Sequence, residues 1–167
     1  MFDRVVIGVD PGVAATGVAV VGTRGGDRPS VLEARTIRTP AGAPEASRLR
    51  ALAEELRSTL RAHAPSEMAL ERLAWGRNVG SAMSVSRASG VLLLVAAERG
   101  LEIREYGPLE VKLAVTGNGT ARKEDVRRML GRLLRIDGVP SEPDAADAVA
   151  VAVCHLHQAR VPTGSRR

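Results

Sequence analysis

The sequence predicts an α/β fold built on a mixed five-stranded sheet with helices on both faces. Two observations carry this prediction: three apolar, strand-like segments follow one another near the amino terminus, and helical and strand-like segments alternate after them. The 167 residues suffice for one domain with a full core. Phe2, Trp75 and Tyr106 are the only aromatic residues, so aliphatic side chains must build that core.

Four strands and one helix are predicted in the first half of the chain. The run RVVIGVDPGVAATGVAVVGT indicates two buried strands joined at DPG, because continuous apolar runs are typical of buried strands and Pro-Gly marks a turn. VLEARTI predicts a third, half-exposed strand, and EMALE a short fourth strand that ends at Glu71. Between them, leucines recur at helical spacing from Glu45 to Ala64, and Pro65 ends the helix.

Helices dominate the predicted second half. After the loop RLAWGRN, a long helix runs from about Val79 to Arg99 and stops at the following glycine. LEIREY alternates as a peripheral strand does, and it precedes a short helix, the glycine loop TGNGTARKED, a helix to about Leu134 and a final alanine-rich helix. We expect residues 1–160 to form one domain and residues 161–167 a disordered tail.

The charge balance and the cysteine count narrow the classes of protein to consider. Lys and Arg total 24 against 19 Asp and Glu, and the net charge of +5 suits phosphate binding as well as an ordinary solvated surface. No uncharged apolar run reaches the roughly 18 residues of a membrane span, and the first residues lack the layout of a secretory signal. Cys154 is the single cysteine, so no internal disulfide can form. We therefore expect a cytoplasmic protein without a membrane partner.

Four carboxylates stand where apolar elements end or begin. Asp10 follows the strand VVIGV and Glu71 ends EMALE, so both side chains leave the sheet at its carboxyl edge if the two strands are parallel neighbours. Asp144 and Asp147 lie three residues apart at the head of the final helix and point the same way. Plain structural explanations exist for three of them: a turn at Asp10, an ion pair of Glu71 with a nearby arginine, and a helix cap formed by Asp144 and Ser141. Asp147, surrounded by alanines and valine, is harder to explain in this way.

Carboxylates gathered at one place need a counter-charge. Each close pair repels by roughly 4 kcal/mol at an effective dielectric near 20. Either the four side chains stay apart or divalent cations hold them together. Oxygen ligands favour Mg²⁺ or Mn²⁺ over zinc. Two such ions activate water and stabilise the leaving oxygen in phosphodiester hydrolysis.

Five segments, in order, resemble the RuvC family of Holliday-junction resolvases: IGVDPG, ALERL, RNVGSAMSVSRASG, EYGPLEVKLAVTGNGTARKEDV and PDAADAVAVAVCHLH. The resemblance runs from about Val5 to His157. It implies a ribonuclease H-like nuclease domain, a homodimer, and paired symmetrical nicks in four-way DNA junctions during recombination and repair. Cleavage would leave 5′-phosphate and 3′-hydroxyl ends, and the partners would include the RuvA and RuvB branch-migration proteins.

The resemblance also implies roles for individual residues. Asp10, Glu71, Asp144 and Asp147 would be the catalytic carboxylates, and Asp10 would bridge two Mg²⁺ ions for which Mn²⁺ can substitute. Lys112 and Lys123 would face the DNA backbone near the scissile phosphate. Independently of the resemblance, the glycine loop with Gly117 and Gly119 precedes a helix and can present backbone N–H groups to a phosphate. The two lysines are the only ones in the chain, although chance can also place them there, and glycine loops often only turn the chain.

A departure from the family pattern lies just after Glu71. Many members carry an aromatic residue that stacks on junction bases at the position of Ala74, whereas this chain has Trp75 next to it. We expect Trp75, Arg77 and Asn78 to contact DNA. The alternative is that Trp75 packs in the core.

The long helix and the final helix each raise one further question. VLLLVAA is apolar all round and must be covered on more than one side, while Ala82, Ser86, Ser89 and Gly90 would let another helix approach closely. A dimer interface is favoured over a purely internal core because the family dimerises. The H-x-H pair of the final helix is not expected to bind metal, since helical positions two apart diverge.

Two functions of other classes compete with the nuclease. A sugar-kinase or actin-like ATPase also opens with a strand and a D-x-G turn, but it needs two lobes, and this chain holds one. A junction-binding module without catalysis would bind junctions equally well with or without Mg²⁺ and never cut them.

Overall fold

Five strands and five helices follow one another in the described part of this computed structural model, residues 2–25, 28–73, 79–134 and 139–158. The strands are β1 (Arg4–Asp10), β2 (Ala15–Thr23), β3 (Ser30–Arg38), β4 (Glu67–Glu71) and β5 (Glu102–Tyr106). The helices are α1 (Glu45–His63), α2 (Val79–Glu98), α3 (Pro108–Thr116), α4 (Lys123–Leu133) and α5 (Pro143–Gln158). The predicted types and order of the elements are confirmed.

The five strands form one mixed sheet in the order β3-β2-β1-β4-β5. β2 runs antiparallel to both β1 and β3, whereas β1, β4 and β5 run parallel to one another. In the register of β1 and β4, Val9 lies opposite Leu70. The next residues along each strand, Asp10 and Glu71, therefore leave the sheet side by side at its carboxyl edge, as predicted.

Helices cover both faces of the sheet, and each face has its own apolar core. α1 and α2 pack on one face, while α3, α4 and α5 pack on the other. Alternation along β1 divides the two cores, because Ile7 and Val9 face α1 and α2 whereas Val6 faces α5. The predicted two-sided cover is thereby confirmed.

Two glycines let α5 lie against the sheet at backbone contact. A Cβ built at Gly17 would lie 1.9 Å from the carbonyl oxygen of Asp144, and one built at Gly8 would lie 2.2 Å from that of Ala148. Gly17 pairs with Asp10 across β1 and β2. The head of α5 thus rests beside the carboxyl end of β1, which brings Asp144 close to Asp10.

One stripe along α2 is exposed in the described structure. Val79, Met83 and Leu94 are 74%, 52% and 59% exposed, and outside its own helix nothing lies within 4 Å of a Cβ built at Gly90. By length and composition α2 also resembles a membrane-spanning helix, with a mean hydropathy of 1.5 over 18 residues and 22% of that window buried. Within the described structure, therefore, only one side of α2 packs against the rest of the protein.

Candidate functional site

Asp10 and Glu71 form the centre of the candidate site. Asp10 ends β1, Glu71 ends β4, and the two carboxyl groups are hydrogen-bonded to each other. Burial has the largest effect on Asp10 and, together with the nearby carboxylates, raises its pKa to about 8. The raised pKa favours the protonated form of this carboxyl group. A small cleft of ≈ 50 Å³ opens here, and its lining also includes Val85 and Pro108.

Asp144 and Asp147, on the first turns of α5, face the same place. Both are half-buried, and their negative charges contribute to the raised pKa of Asp10. Lys123, the first residue of α4, donates a hydrogen bond from Nζ to Oδ2 of Asp147 over 2.6 Å, which raises the pKa of the lysine. Within the described residues Ser141 makes no hydrogen bond to Asp144, so the structure gives no support to the predicted cap. The four carboxylates and one of the two predicted lysines thus come together.

The carboxylates are neighbours but do not form a closed ligand cluster. Among the described residues, no three His, Cys, Asp or Glu side chains lie at the spacing of a metal site. Each close pair of ionised carboxylates would cost roughly 4 kcal/mol. Two contacts reduce this cost, because Asp10 and Glu71 share a hydrogen bond and Asp147 pairs with the ammonium group of Lys123.

The glycine loop lies between α3 and α4, next to these carboxylates. Lys112 is half-buried on α3, one turn beyond Pro108 on the same side of the helix, and it makes no ion pair within the described structure. Gly117 ends α3 in the left-handed conformation with φ 75° and donates its N–H to the carbonyl oxygen of Leu113 over 2.8 Å. Gly117 therefore has a turning role, while contacts of Lys112, Gly117 and Gly119 with DNA stay predictions.

The segment after β4 includes the predicted stacking residue. Trp75, Arg77 and Asn78, together with Ala74, lie outside the described residues, so their predicted roles stay predictions. Arg72, just before them, has Nη2 3.4 Å from Oε2 of Glu110 at the same edge of the sheet.

Sequence reasoning missed a buried polar network at the other end of α5. His155 is fully buried; its Nδ1 lies 2.7 Å from the hydroxyl of Tyr106 and its Nε2 lies 2.7 Å from Oε2 of Glu67, which also pairs with Arg4. His157 points elsewhere, with Nδ1 3.2 Å from the carbonyl oxygen of Ala114. The two histidines diverge as predicted. The sequence does contain a pattern that could have indicated this network: charged residues begin two apolar strands, and a histidine lies within an otherwise apolar helix.

The sequence matches one characterised family over most of its length. The family profile described as crossover junction endodeoxyribonuclease RuvC matches residues 6–155. The chain is 42% identical to the crossover junction endodeoxyribonuclease RuvC of Mycobacterium leprae over 92% of this chain and 82% of that protein. It is 43% identical to the protein of the same name from Pelotomaculum thermopropionicum, over 91% of this chain and 92% of the relative.

The solved structures give the same result at the level of the fold. A structure described as T. thermophilus RuvC in complex with Holliday junction substrate superposes with a TM-score of 0.88 at 32% identity, covering 94% of this chain and 95% of that chain. The yeast mitochondrial Holliday junction resolvase Ydc2 has a TM-score of 0.64 at 12% identity, covering 91% of this chain and 78% of its own, and supports the fold alone. The predicted ribonuclease H-like fold is confirmed.

Proposed function

The chain belongs to the RuvC family of crossover junction endodeoxyribonucleases, and on that basis we propose that Asp10, Glu71, Asp144 and Asp147 form its catalytic centre. The protein is a divalent-metal-dependent endonuclease that resolves Holliday junctions, which decides against the ATPase alternative. One observation carries the assignment of the site: Asp10 and Glu71 leave the sheet side by side at its carboxyl edge, and Asp144 and Asp147 of α5 lie close enough to act on Asp10. Such crowding of negative charge is what a cation site requires.

The donor set fits hard divalent ions. Four carboxylates converge at this edge of the sheet, and oxygen donors suit Mg²⁺, with Mn²⁺ as a substitute, better than zinc. We propose that Asp10, Glu71, Asp144 and Asp147 would hold two such ions. When bound, the ions supply an activated water and charge stabilisation at the leaving oxygen.

Two side chains of the protein have further proposed roles in proton transfer and phosphate binding. Asp10 must release its proton when it becomes a ligand, and a nearby cation favours that release because it stabilises the carboxylate. Lys123, exposed beside Asp147, is placed to donate a hydrogen bond to a phosphate oxygen at the site. In-line hydrolysis there would leave a 5′-phosphate and a 3′-hydroxyl.

The DNA contacts are proposed around this centre. Lys112 and Lys123 would neutralise backbone phosphates, and Gly117 and Gly119 would let the DNA backbone approach the loop. Trp75 would stack on an unpaired base, a contact worth roughly 1–3 kcal/mol, in place of the aromatic residue that is absent at Ala74. Arg77 and Asn78 would bind the backbone beside it.

Assembly and location follow from the family and from the exposed face of α2. Paired nicks need two active sites, and the exposed stripe of Val79, Met83, Gly90 and Leu94 would form the interface of a homodimer. Serines and Arg87 interrupt the apolar surface of α2, which favours a protein partner over lipid. RuvA and RuvB are the proposed motor partners, and the cytoplasm, where DNA lies and Cys154 stays reduced, is the proposed location.

Mapping of nicks in a labelled four-way junction tests the proposal. The protein should cut the junction at symmetry-related positions with Mg²⁺ or Mn²⁺, leave it intact in EDTA, and spare a linear duplex of the same sequence. Asp10→Asn, Glu71→Gln and Asp147→Asn should each nearly abolish cutting while junction binding persists. Glu124→Gln, which removes an exposed carboxylate next to Lys123, should cut normally. Normal cutting by the first three variants would refute the site.

A further inference from the structure

A chain of hydrogen bonds joins α5 to three strands at the end of the helix away from the carboxylates. It links Arg4 at the start of β1, Glu67 at the start of β4, Tyr106 at the end of β5 and His155 in the last turns of α5. β1, β4 and α5 are the elements that carry the four carboxylates. His155 follows Asp147 by eight residues, about 12 Å along a helix that rises 1.5 Å per residue.

The hydrogen bonds of this network determine the state of the histidine. Glu67 accepts a hydrogen bond from the N–H at Nε2 of His155. In the neutral ring Nδ1 then carries no proton, so it accepts a hydrogen bond from the hydroxyl of Tyr106. Burial lowers the pKa of His155 and favours this neutral form. Each ring nitrogen then has a partner, and the Tyr106 ring meets the imidazole edge-on with 5.8 Å between the ring centroids.

The position of the network excludes a direct role in the reaction. Tyr106 is 4% exposed and His155 is fully buried, so neither reaches a substrate. Arg4 holds the pKa of Glu67 at about 2, so this carboxylate stays ionised and keeps its two partners at any physiological pH. The network therefore keeps one protonation state and has a structural role, because it does not reach the substrate.

The rest of the contact between α5 and the sheet is apolar and made of small side chains. Ala148 and Ala152, one turn apart, both lie at Gly8, and valines and alanines form most of the remaining buried face. Such contacts set how closely the helix approaches, but they have little directional preference along the helix axis. Hydrogen bonds are directional within a few tenths of an ångström and therefore specify position.

We propose that His155 is a positioning residue: by binding Glu67 and Tyr106, it fixes where α5 stands along β1 and β4, and thereby where Asp144 and Asp147 stand relative to Asp10 and Glu71. The inference rests on the proposed role of these four carboxylates. A shift of about 1 Å at a reacting centre can cost on the order of 10²-fold in rate, so a remote contact that prevents it affects catalysis.

Tyr106→Phe is the decisive variant, because it removes one hydroxyl and keeps the ring. His155→Gln is the stronger change at the centre of the network. Leu56→Val, in the core on the opposite face of the sheet, is the matched control for a general loss of stability. For each protein we would measure the melting temperature, Mn²⁺ binding without DNA by calorimetry, and kcat and KM on a four-way junction.

Positioning predicts a specific pattern in these measurements. Tyr106→Phe should weaken Mn²⁺ binding and lower kcat, each by roughly tenfold, less than the roughly 10²-fold cost of a full 1 Å displacement because the ring and the contact with Glu67 remain. KM for the junction should stay unchanged, and Leu56→Val should lower only the melting temperature. Wild-type Mn²⁺ affinity and kcat in Tyr106→Phe, or the same losses in Leu56→Val, would overturn the inference. If Asp10→Asn did not affect Mn²⁺ binding, the proposed metal site itself would fail, which is a separate result.

Discussion

At Asp10, burial and neighbouring charge act in the same direction. The carboxyl group lies at the end of an apolar strand, next to Glu71 and near two further carboxylates, and its pKa rises to about 8. A group held in its neutral form costs the folded protein stability when the pH forces it to ionise. Function and stability therefore conflict at this residue.

The first prediction concerns the stability of Asp10→Asn without metal. The folded pKa of about 8 lies above the ordinary value of 3.8, so between these values the folded protein binds more protons than the unfolded chain, and stability falls as the pH rises. Asparagine does not titrate. In EDTA, the variant should melt close to the wild type near the ordinary carboxyl pKa and clearly higher above about pH 8. Equal differences in melting temperature at both ends of this range would contradict the raised pKa.

The second prediction concerns Lys123→Ala. The ammonium lies 2.6 Å from Asp147 and has the same sign of charge as a divalent ion. Its removal should tighten Mn²⁺ binding in the absence of DNA by roughly two- to fivefold, the range of an exposed ion pair worth up to about 1 kcal/mol. Cleavage should nevertheless fall, and the salt slope of junction binding should drop by about one unit.

Arg122→Ala provides the control for this lysine variant. Arg122 is the exposed neighbour of Lys123, and in the described part of the chain Asp147 makes its ion pair with Lys123 and none with Arg122. The control should leave Mn²⁺ affinity unchanged. Weaker Mn²⁺ binding in Lys123→Ala would contradict the prediction. It would show that the lysine helps to position the carboxylates more than its charge repels the cation.

At the scale of the elements, backbone contact between α5 and the sheet assembles the site. Gly17 on β2 has no side chain where the carbonyl group of Asp144 passes, and the obstacle to a larger residue is backbone, which cannot rotate away. The short distance from the sheet to the first turn of α5 thus depends on this glycine. The same argument applies to Gly8 one turn further along the helix.

The third prediction is that Gly17→Ala separates α5 from β1. The new Cβ would lie 1.9 Å from a carbonyl oxygen, so α5 must shift, which should destabilise the protein by roughly 1–3 kcal/mol. Cleavage should fall by about 10²-fold, because Asp144 and Asp147 move with the helix. Chemical denaturation and junction cleavage would measure the two effects.

Gly131→Ala is the matched control on α4. Among the described residues, nothing outside its own helix lies within 4 Å of a Cβ built at Gly131, and alanine in a helix interior stabilises by roughly 0.5–1 kcal/mol relative to glycine. It should cleave junctions normally and unfold at a higher denaturant concentration. A Gly17→Ala protein that behaves like this control would show that α5 has more freedom than the structure indicates.

At the scale of the whole molecule, the stripe of α2 is an apolar surface that the described fold leaves exposed. The chain places Val79, Met83 and Leu94 in solvent although the other side of the same helix lies in the core. A symmetric dimer through this stripe would bury these side chains and deliver two active sites to two strands.

The fourth prediction is that the protein sediments as a dimer at micromolar concentration and that Gly90→Arg makes it a monomer. The substitution meets nothing within the described chain outside its own helix, so the folded protomer should persist. Paired cutting should fall more steeply than junction binding. Gly42→Arg, at another open position, should remain dimeric. A monomeric wild type, free and bound to a junction, would exclude the interface.

The sequence by itself determined the elements, their order and the four carboxylates. Apolar strands that end at Asp10 and Glu71 and a buried helix headed by two aspartates are local patterns, and the physics of burying charge is enough to single them out. Family motifs in order then supplied the function. Periodicity also predicted that α2 has more apolar surface than one core can cover.

Only the tertiary structure decided which groups meet. The pairing of Lys123, and not Lys112, with Asp147 depends on how α4 approaches α5, and the buried contact of His155 with Glu67 joins residues 88 positions apart. Local patterns cannot predict such contacts, because the distance between remote residues is set by the packing of whole elements. The closeness of Asp144 to Asp10 likewise depends on Gly17, whose importance appears only once β2 lies under α5.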